Sequence, residues 1–271
     1  MNILDPINPF HLFSTVPLLG LYGLSILLVG ATLGLGYWLG YRRRRSKAGI
    51  KDSSLGSAVA ATLGLLAFML AFTFNMTAER FAQRKLLLLE EVNAIATTYL
   101  RADFLDPKGE AEARALLAEY ASLRAFDPRD LDLPGYVRLL ERSEAIQGQL
   151  WQIVARHVDA GFDAQRLRAF YQPLNTLIDY HTRRVQVGAR YQIPPPIWGA
   201  LYAITALAML GIGFQLGVAR GGSPQVAIAL ALSFSLVILL IADLDRAAEG
   251  LLIVDHSAMA ELSASLRQRQ H

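Results

Sequence analysis

The chain has 271 residues, 53% of them hydrophobic and only 18% charged, with no cysteine and a formal net charge of +3. Soluble domains carry about 25% charged residues, so an ordinary water-soluble globule is excluded. The missing cysteines exclude disulfides, thiolate zinc sites and iron–sulfur clusters, and the small net charge gives no argument for nucleic acid as a partner. The charges are unevenly spread. Glu79 to Arg190 holds 16 Lys/Arg and 16 Asp/Glu in 112 residues, whereas the other 159 residues hold 17 charges. One stretch reads as water-soluble and the remainder as lipid-soluble.

A helix needs about 20 apolar residues to cross a hydrocarbon core about 30 Å thick. The first stretch to qualify is Val16 to Leu39, ending against Tyr41 and the block Arg42-Arg43-Arg44-Arg45. It is too long for a cleavable signal peptide, and its basic flank follows the apolar run instead of preceding it. Gly30-xxx-Gly34 and Gly36-xxx-Gly40 strip side chains from its surface and permit close helix contact. The second span lies in the uncharged run Ser53 to Ala78. No breaker follows Gly64 until Asp106-Pro107, so this helix is predicted to continue as a rod well beyond the bilayer. In that rod Leu86, Leu89, Val92, Asn93, Ile95 and Ala96 form a helical stripe.

Turn signals follow at Asp106-Pro107-Lys108-Gly109, Asp127-Pro128 and Leu133-Pro134-Gly135. Two further helices are predicted at about Gly135 to Val158 and Ala164 to Arg190. Pro173 is expected to interrupt the latter, and Pro194-Pro195-Pro196 to end it. Asn75, Asn93, Asn175 and Asp179 are candidate buried polar groups for interhelical hydrogen bonds. The third span falls between Arg190 and Arg220 and the fourth between Arg220 and Asp243. Tyr37, Trp38, Tyr41, Trp198 and Tyr202 sit near span ends, where amphipathic rings favour the headgroup layer.

No stretch alternates with period two. The expected fold is all-α: a multi-pass membrane protein with four transmembrane helices and a helical extramembrane bundle between spans two and three. The divisions are 1–54 (N-terminal segment, first span and basic loop), 55–78 (second span), 79–192 (helical domain), 193–244 (third and fourth spans) and 245–271 (tail).

Short basic loops mark the cytoplasmic side. The loop after the first span holds Arg42 to Arg45, Lys47 and Lys51, the loop before the fourth holds Arg220, and the N-terminal segment has no Lys or Arg. This count puts the protein in the cell inner membrane with the helical domain outside the cytoplasm. Arg80, Arg84, Lys85, Arg183, Arg184 and Arg190 flank that domain and pull the other way.

All spans return to the same two interfaces, which sends three charged groups to one membrane face. They are Glu79, Arg80 and Arg84 beyond the second span, Arg183 before the third, and Asp243, Asp245, Arg246 and Glu249 closing the fourth. Asp243 is the deepest carboxylate, and a charge at the bilayer centre costs several kcal/mol. These residues read either as structural salt bridges and headgroup anchors or as an ion vestibule or proton relay. Phe68 and Phe72 stand one turn apart with Gly64 a turn earlier and Asn75 a turn later. Around an oligomer axis they would form a hydrophobic constriction; within one chain they would be packing residues.

No catalytic pattern emerges. The glycine run Gly34 to Gly40 has the wrong spacing for a nucleotide loop and lies inside an apolar span. His11, His157, His181, His256 and His271 are scattered, with no HExxH pair, and His157 with Asp159 and Asp163 makes a poor metal set. No serine occupies a nucleophile-elbow pattern. An enzyme, a metal and a cofactor are not expected.

Two spans, a helical insert of about 110 residues, two more spans and a short tail resemble bestrophin channels, and more closely a bacterial bestrophin-like family of unknown function. The motifs are Leu70-Ala-Phe72-Thr-Phe74 running into Glu79-Arg80-Phe81 and Arg84, Glu90-Glu91-Val-Asn93, Tyr99-Leu-Arg101-Ala-Asp103, Leu174-Asn175 through Asp179 to Arg183, Ile193-Pro194, and Asp243-Leu-Asp245-Arg246 with Gly250. Ala247 stands where the family usually has proline. The resemblance implies a homo-oligomer, a pentamer in bestrophins, with the second span lining a pore for inorganic ions. It places Phe68 and Phe72 at the hydrophobic neck, with Gly64 replacing a bulkier residue. It also implies a cytoplasmic insert, against the loop charges.

An acidic calcium clasp is lacking. The expected function is an oligomeric ion channel in contact with membrane lipid. The alternatives are a non-conducting scaffold or sensor whose helical domain binds a partner, and a proton-coupled transporter using Asp243.

Overall fold

The computed structural model describes residues 17–45, 52–127, 129–130, 132–189, 192–219, 224–246 and 250–269. Among them the regular structure is entirely helical, with no strand. The helices are α1 (Leu18–Arg45), α2 (Asp52–Arg101) with a 3-10 turn at Ala102–Phe104, α3 (Pro107–Arg124), α4 (Leu133–Asp159), α5 (Ala164–Ala189), α6 (Pro195–Val218), α7 (Pro224–Asp245) and α8 (Ser257–Gln268). The chain divides into two compact units. The first comprises Met1–Glu79, Gln192–Arg246 and Gly250–Leu252; the second comprises Arg80–Tyr191, Ala247–Glu249 and Ile253–His271.

Four helices are long and apolar enough to cross a membrane: α1, α2, α6 and α7. At 1.5 Å per residue, the 50 residues of α2 make about 75 Å of helix, over twice the hydrocarbon thickness. The predicted rod is therefore present. Helix α1 does not stop at Leu39 but runs on through all four arginines. Their positive charge sits against the negative end of the helix dipole and favours the extra turn.

In the first unit α1 and α6 meet through four glycines. A Cβ on Gly36 or Gly40 would collide with the backbone of Leu210 or Phe214, and one on Gly213 or Gly217 with the backbone of Leu33 or Tyr37. Lipid tails are as apolar as leucine, so helices in a bilayer associate by close packing, which these glycines permit. Gly30 and Gly34 face open space. Only one of the two expected glycine pairs is therefore a packing device within the chain. Around this seam lie Leu21, Leu66, Leu70, Trp198, Leu201 and Ile238, with Val29, Val59 and Met209 in a smaller cluster. Trp198 is a core residue, not a headgroup anchor, and Tyr202 shares a 2.8 Å hydrogen bond with Ser25.

The second unit is a helical bundle with a core that includes Leu88, Ile95, Tyr99, Leu117, Tyr120, Ile146, Leu150, Phe170, Leu174 and Met259. Two of the three expected turns open helices, while Pro128 of the third lies outside the described residues. Asp106 caps α3 by accepting from Gly109 N at 3.0 Å, and Asp132 caps α4 by accepting from Gly135 N at 2.8 Å, each with proline in the first turn. His157 lies 2.7 Å from Asp106 Oδ1, so it ties the end of α4 to the start of α3.

Pro173 does not interrupt α5. A proline removes one N–H and leaves the carbonyl four residues earlier unpaired; that carbonyl, Ala169 O, accepts from Arg101 Nη1 at 3.3 Å. The stripe on distal α2 is phased differently. Leu88, Glu91, Ala94, Ile95, Thr98 and Tyr99 are buried, while Leu86, Leu89 and Asn93 are exposed. Asn75, Asn175 and Asp179 are exposed as well, lying on the sides of their helices away from the cores.

Candidate functional site

Helix α2 presents two faces within the first unit. Val59, Leu66, Leu70, Thr73 and Thr77 are buried and follow one another at intervals of three, four or seven residues, the spacing of a single helical stripe. Gly64, Phe68, Phe72, Asn75 and Glu79 form the opposite stripe and are exposed, with Phe68 at 65% and Phe72 at 53%. The chain thus covers one side of α2 and leaves the other bare. Thr62, Thr73 and Thr77 donate to carbonyls of the preceding turn, as does Thr205 of α6. Their hydroxyls are spent inside their own helices. Asn75 and Glu79 are polar groups on the bare face.

The carboxylates that close α7 hold the backbone. Asp243 is buried and accepts from Leu251 N at 2.9 Å through Oδ1 and from Leu252 N at 3.2 Å through Oδ2. Gly250 makes this clamp possible: its φ is +106°, and a Cβ there would land on Asp243 Oδ1. Asp245 accepts from Ile193 N, at 2.9 Å to Oδ1 and 3.2 Å to Oδ2. The end of α7 is thereby tied to the residue just ahead of α6. Burying Asp243 is tolerable because both oxygens are satisfied. In the second unit the Arg84 guanidinium lies 5.9 Å from the Phe81 ring centroid and that of Arg183 lies 5.9 Å from Tyr180. Arg80 is half-buried in the same unit, Arg246 is buried in the first, and Glu249 lies outside the described residues. Among the described residues no group of three or more His, Cys, Asp or Glu could hold a metal ion.

A charged cluster that the sequence did not single out lies inside the second unit. Glu91 is fully buried. It accepts from Tyr120 Oη at 2.6 Å and from Arg124 Nε at 3.2 Å, and it pairs with Arg184. Tyr120 spends its single proton on Glu91, so towards His181 Nδ1, 3.0 Å away, the phenol oxygen accepts and Nδ1 carries the hydrogen. Gln147 Nε2 donates to the same oxygen at 3.4 Å, and Arg184 Nη2 donates to His256 Nε2 at 3.2 Å.

Burial alone would raise the Glu91 pKa, but Arg124, Arg184 and the Tyr120 hydroxyl outweigh it and hold the carboxyl down at about 2. Burial, reinforced by Arg124, pushes His181 down to about 4. A signal for this cluster existed: Arg124 falls in register with Ala113, Leu117 and Tyr120 on the apolar face of α3, and a cation there needs a buried partner.

Four membrane-length helices, with the second extended into a helical bundle, define an all-α multi-pass membrane protein. A family model for the Bestrophin-like domain matches residues 19–259, and the chain belongs to that family. Its fold is similar to the crystal structure of a bacterial bestrophin homologue from Klebsiella pneumoniae, with a TM-score of 0.67 at 15% identity over 92% of this chain and 97% of that one. It is also similar to a crystal structure described as a membrane protein, with a TM-score of 0.69 at 14% identity over 93% and 98% of the two chains. No curated protein sequence matches the chain.

Proposed function

We propose that this protein is an ion channel, a homo-oligomer in which α2 of each copy lines one axial path with Gly64, Phe68, Phe72 and Asn75. The observation that carries this reading is the uncovered stripe on α2. Asn75 and Glu79 on that stripe are costly against lipid and favourable beside water. Phe68 and Phe72 lie about 6 Å apart along the helix axis and would stack as two apolar rings, a constriction that passes ions only when wetted. Gly64 leaves the next level wide. Five copies is the number that the resemblance to bestrophins implies.

In this reading residues 55–78 are the pore span and 79–192 the extramembrane domain. The charged set Glu79, Arg80, Arg84, Arg183, Asp243, Asp245, Arg246 and Glu249 biases which inorganic ions pass. Asp243 and Asp245 act there through fixed charge, because their oxygens already hold backbone amides. Passage of ions requires no covalent step, metal or cofactor. The arginines after α1 support the cell inner membrane with that loop in the cytoplasm and the bundle outside.

A second reading, a scaffold whose bundle binds a partner protein, is favoured by Leu100 and Phe104, exposed at 56% and 44% in the second unit. Purified protein in planar bilayers separates the two. A channel gives unitary currents whose size rises when Phe68 and Phe72 are both replaced by alanine; a scaffold gives no current in either form.

A further inference from the structure

Arg42, Arg43, Arg44 and Arg45 are all exposed at the end of α1, and successive residues on a helix fan out by about 100°, so the four make a collar around it. Among the described residues none of the four has a carboxylate partner. Four uncompensated cations on one turn repel each other, and the helix dipole supplies only about half a charge against them.

Aromatic rings hold three of the four. The Arg42 guanidinium lies 3.8 Å above the Trp38 ring centroid, and those of Arg45 and Arg44 lie 4.8 and 5.6 Å from Tyr41. Tyr41 in turn stacks on Tyr37, with ring centroids 6.4 Å apart. A ring covers only the face of a guanidinium. The N–H donors around its edge stay free and pre-oriented, and their fork matches two oxygens of one phosphate. Tyr37 and Trp38 are themselves half exposed, at 51% and 44%. They belong to the level where headgroups meet acyl chains.

We propose that this collar is a binding site for anionic phospholipid headgroups, selective for the phosphodiester of a lipid with net negative charge. Charge complementarity fixes the sign of the partner, and the membrane-length helix beneath the collar fixes its source. The lipid completes α1 as a receptor in one leaflet, whether or not the protein conducts.

Native mass spectrometry of detergent-purified protein tests this, with phosphatidylglycerol and phosphatidylcholine of identical acyl chains as probes and inorganic phosphate as competitor. The unaltered protein is expected to retain phosphatidylglycerol at least about tenfold more strongly. The variant R42Q/R43Q/R44Q/R45Q is expected to lose the preference. R42K/R43K/R44K/R45K keeps the charge without the stacked fork and is expected to keep no more than about a threefold preference. Equal retention of the two lipids by the unaltered protein would overturn the proposal, as would a glutamine or lysine variant with undiminished preference. Displacement of the lipid by inorganic phosphate would also overturn it, by assigning the collar to the free ion.

Discussion

Glu91 is set against the buried Arg124 and the half-buried Arg184, and both of its oxygens are engaged. Its replacement by glutamine leaves Arg124 and Arg184 uncompensated in the bundle core. The expected cost is about 3–5 kcal/mol, read as a fall in thermal midpoint. His181 sets the pH response. In the unfolded chain it takes a proton near its ordinary value of 6.5, and folded only near 4. Between those values the unfolded state holds the extra proton, so stability is full above 6.5 and is lost as pH falls towards 4. Glu91 extends the loss, being protonated near 4.5 when unfolded and near 2 when folded. Thermal melts across this range should show the decline. His181→Gln, which keeps a donor for Tyr120, should flatten its upper part; an unchanged slope would show that His181 does not set it. At the α1–α6 seam, Gly36→Ala forces a methyl into the Leu210 backbone and is expected to cost about 1–3 kcal/mol. Gly30→Ala, in open space, should leave the melt unmoved.

Among the helices, α2 carries the functional claim. Its two faces predict an asymmetry. Leu66→Ala and Leu70→Ala should each destabilise the protein by about 2–5 kcal/mol, since both are buried. Phe68→Ala and Phe72→Ala should barely alter the melt of the single chain while raising current through the channel. The reverse pattern would place the wrong face on the pore.

Hydropathy alone made the four spans legible, because a bilayer imposes one length on every crossing helix. The turns at Asp106-Pro107-Lys108-Gly109 and Leu133-Pro134-Gly135 are legible because proline and glycine break helices by local chemistry; the capping roles of Asp106 and Asp132 emerge only in the structure. What escaped depended on tertiary partners. The run Leu86 to Leu89 is apolar on every side, so its sequence accommodates either phase, and burial of Glu91 with Arg124 and Arg184 decides it. Pro173 looked like a break because the guanidinium that satisfies Ala169 comes from Arg101, far away in sequence. Helix α8 is hard to tell from a plain tail in the sequence, although Met259, Leu262 and Leu266 have helical spacing, because its apolar face is short. The glycine pairs looked alike in sequence, and only the approach of α6 separates them.

For the molecule as a whole, one unit is built on a glycine seam and the other around a buried ion cluster, and the continuous helix α2 contributes residues to both. That helix leaves Gly64, Phe68, Phe72, Asn75 and Glu79 without cover from their own chain, and symmetry is the economical way to cover five such positions at once. The measurement that addresses this most directly is single-particle cryo-electron microscopy of the protein in lipid nanodiscs. The expected result is a closed ring of copies with α2 innermost and the Phe68 and Phe72 rings turned to the axis. A monomer, or a ring in which those phenylalanines face lipid, would contradict it.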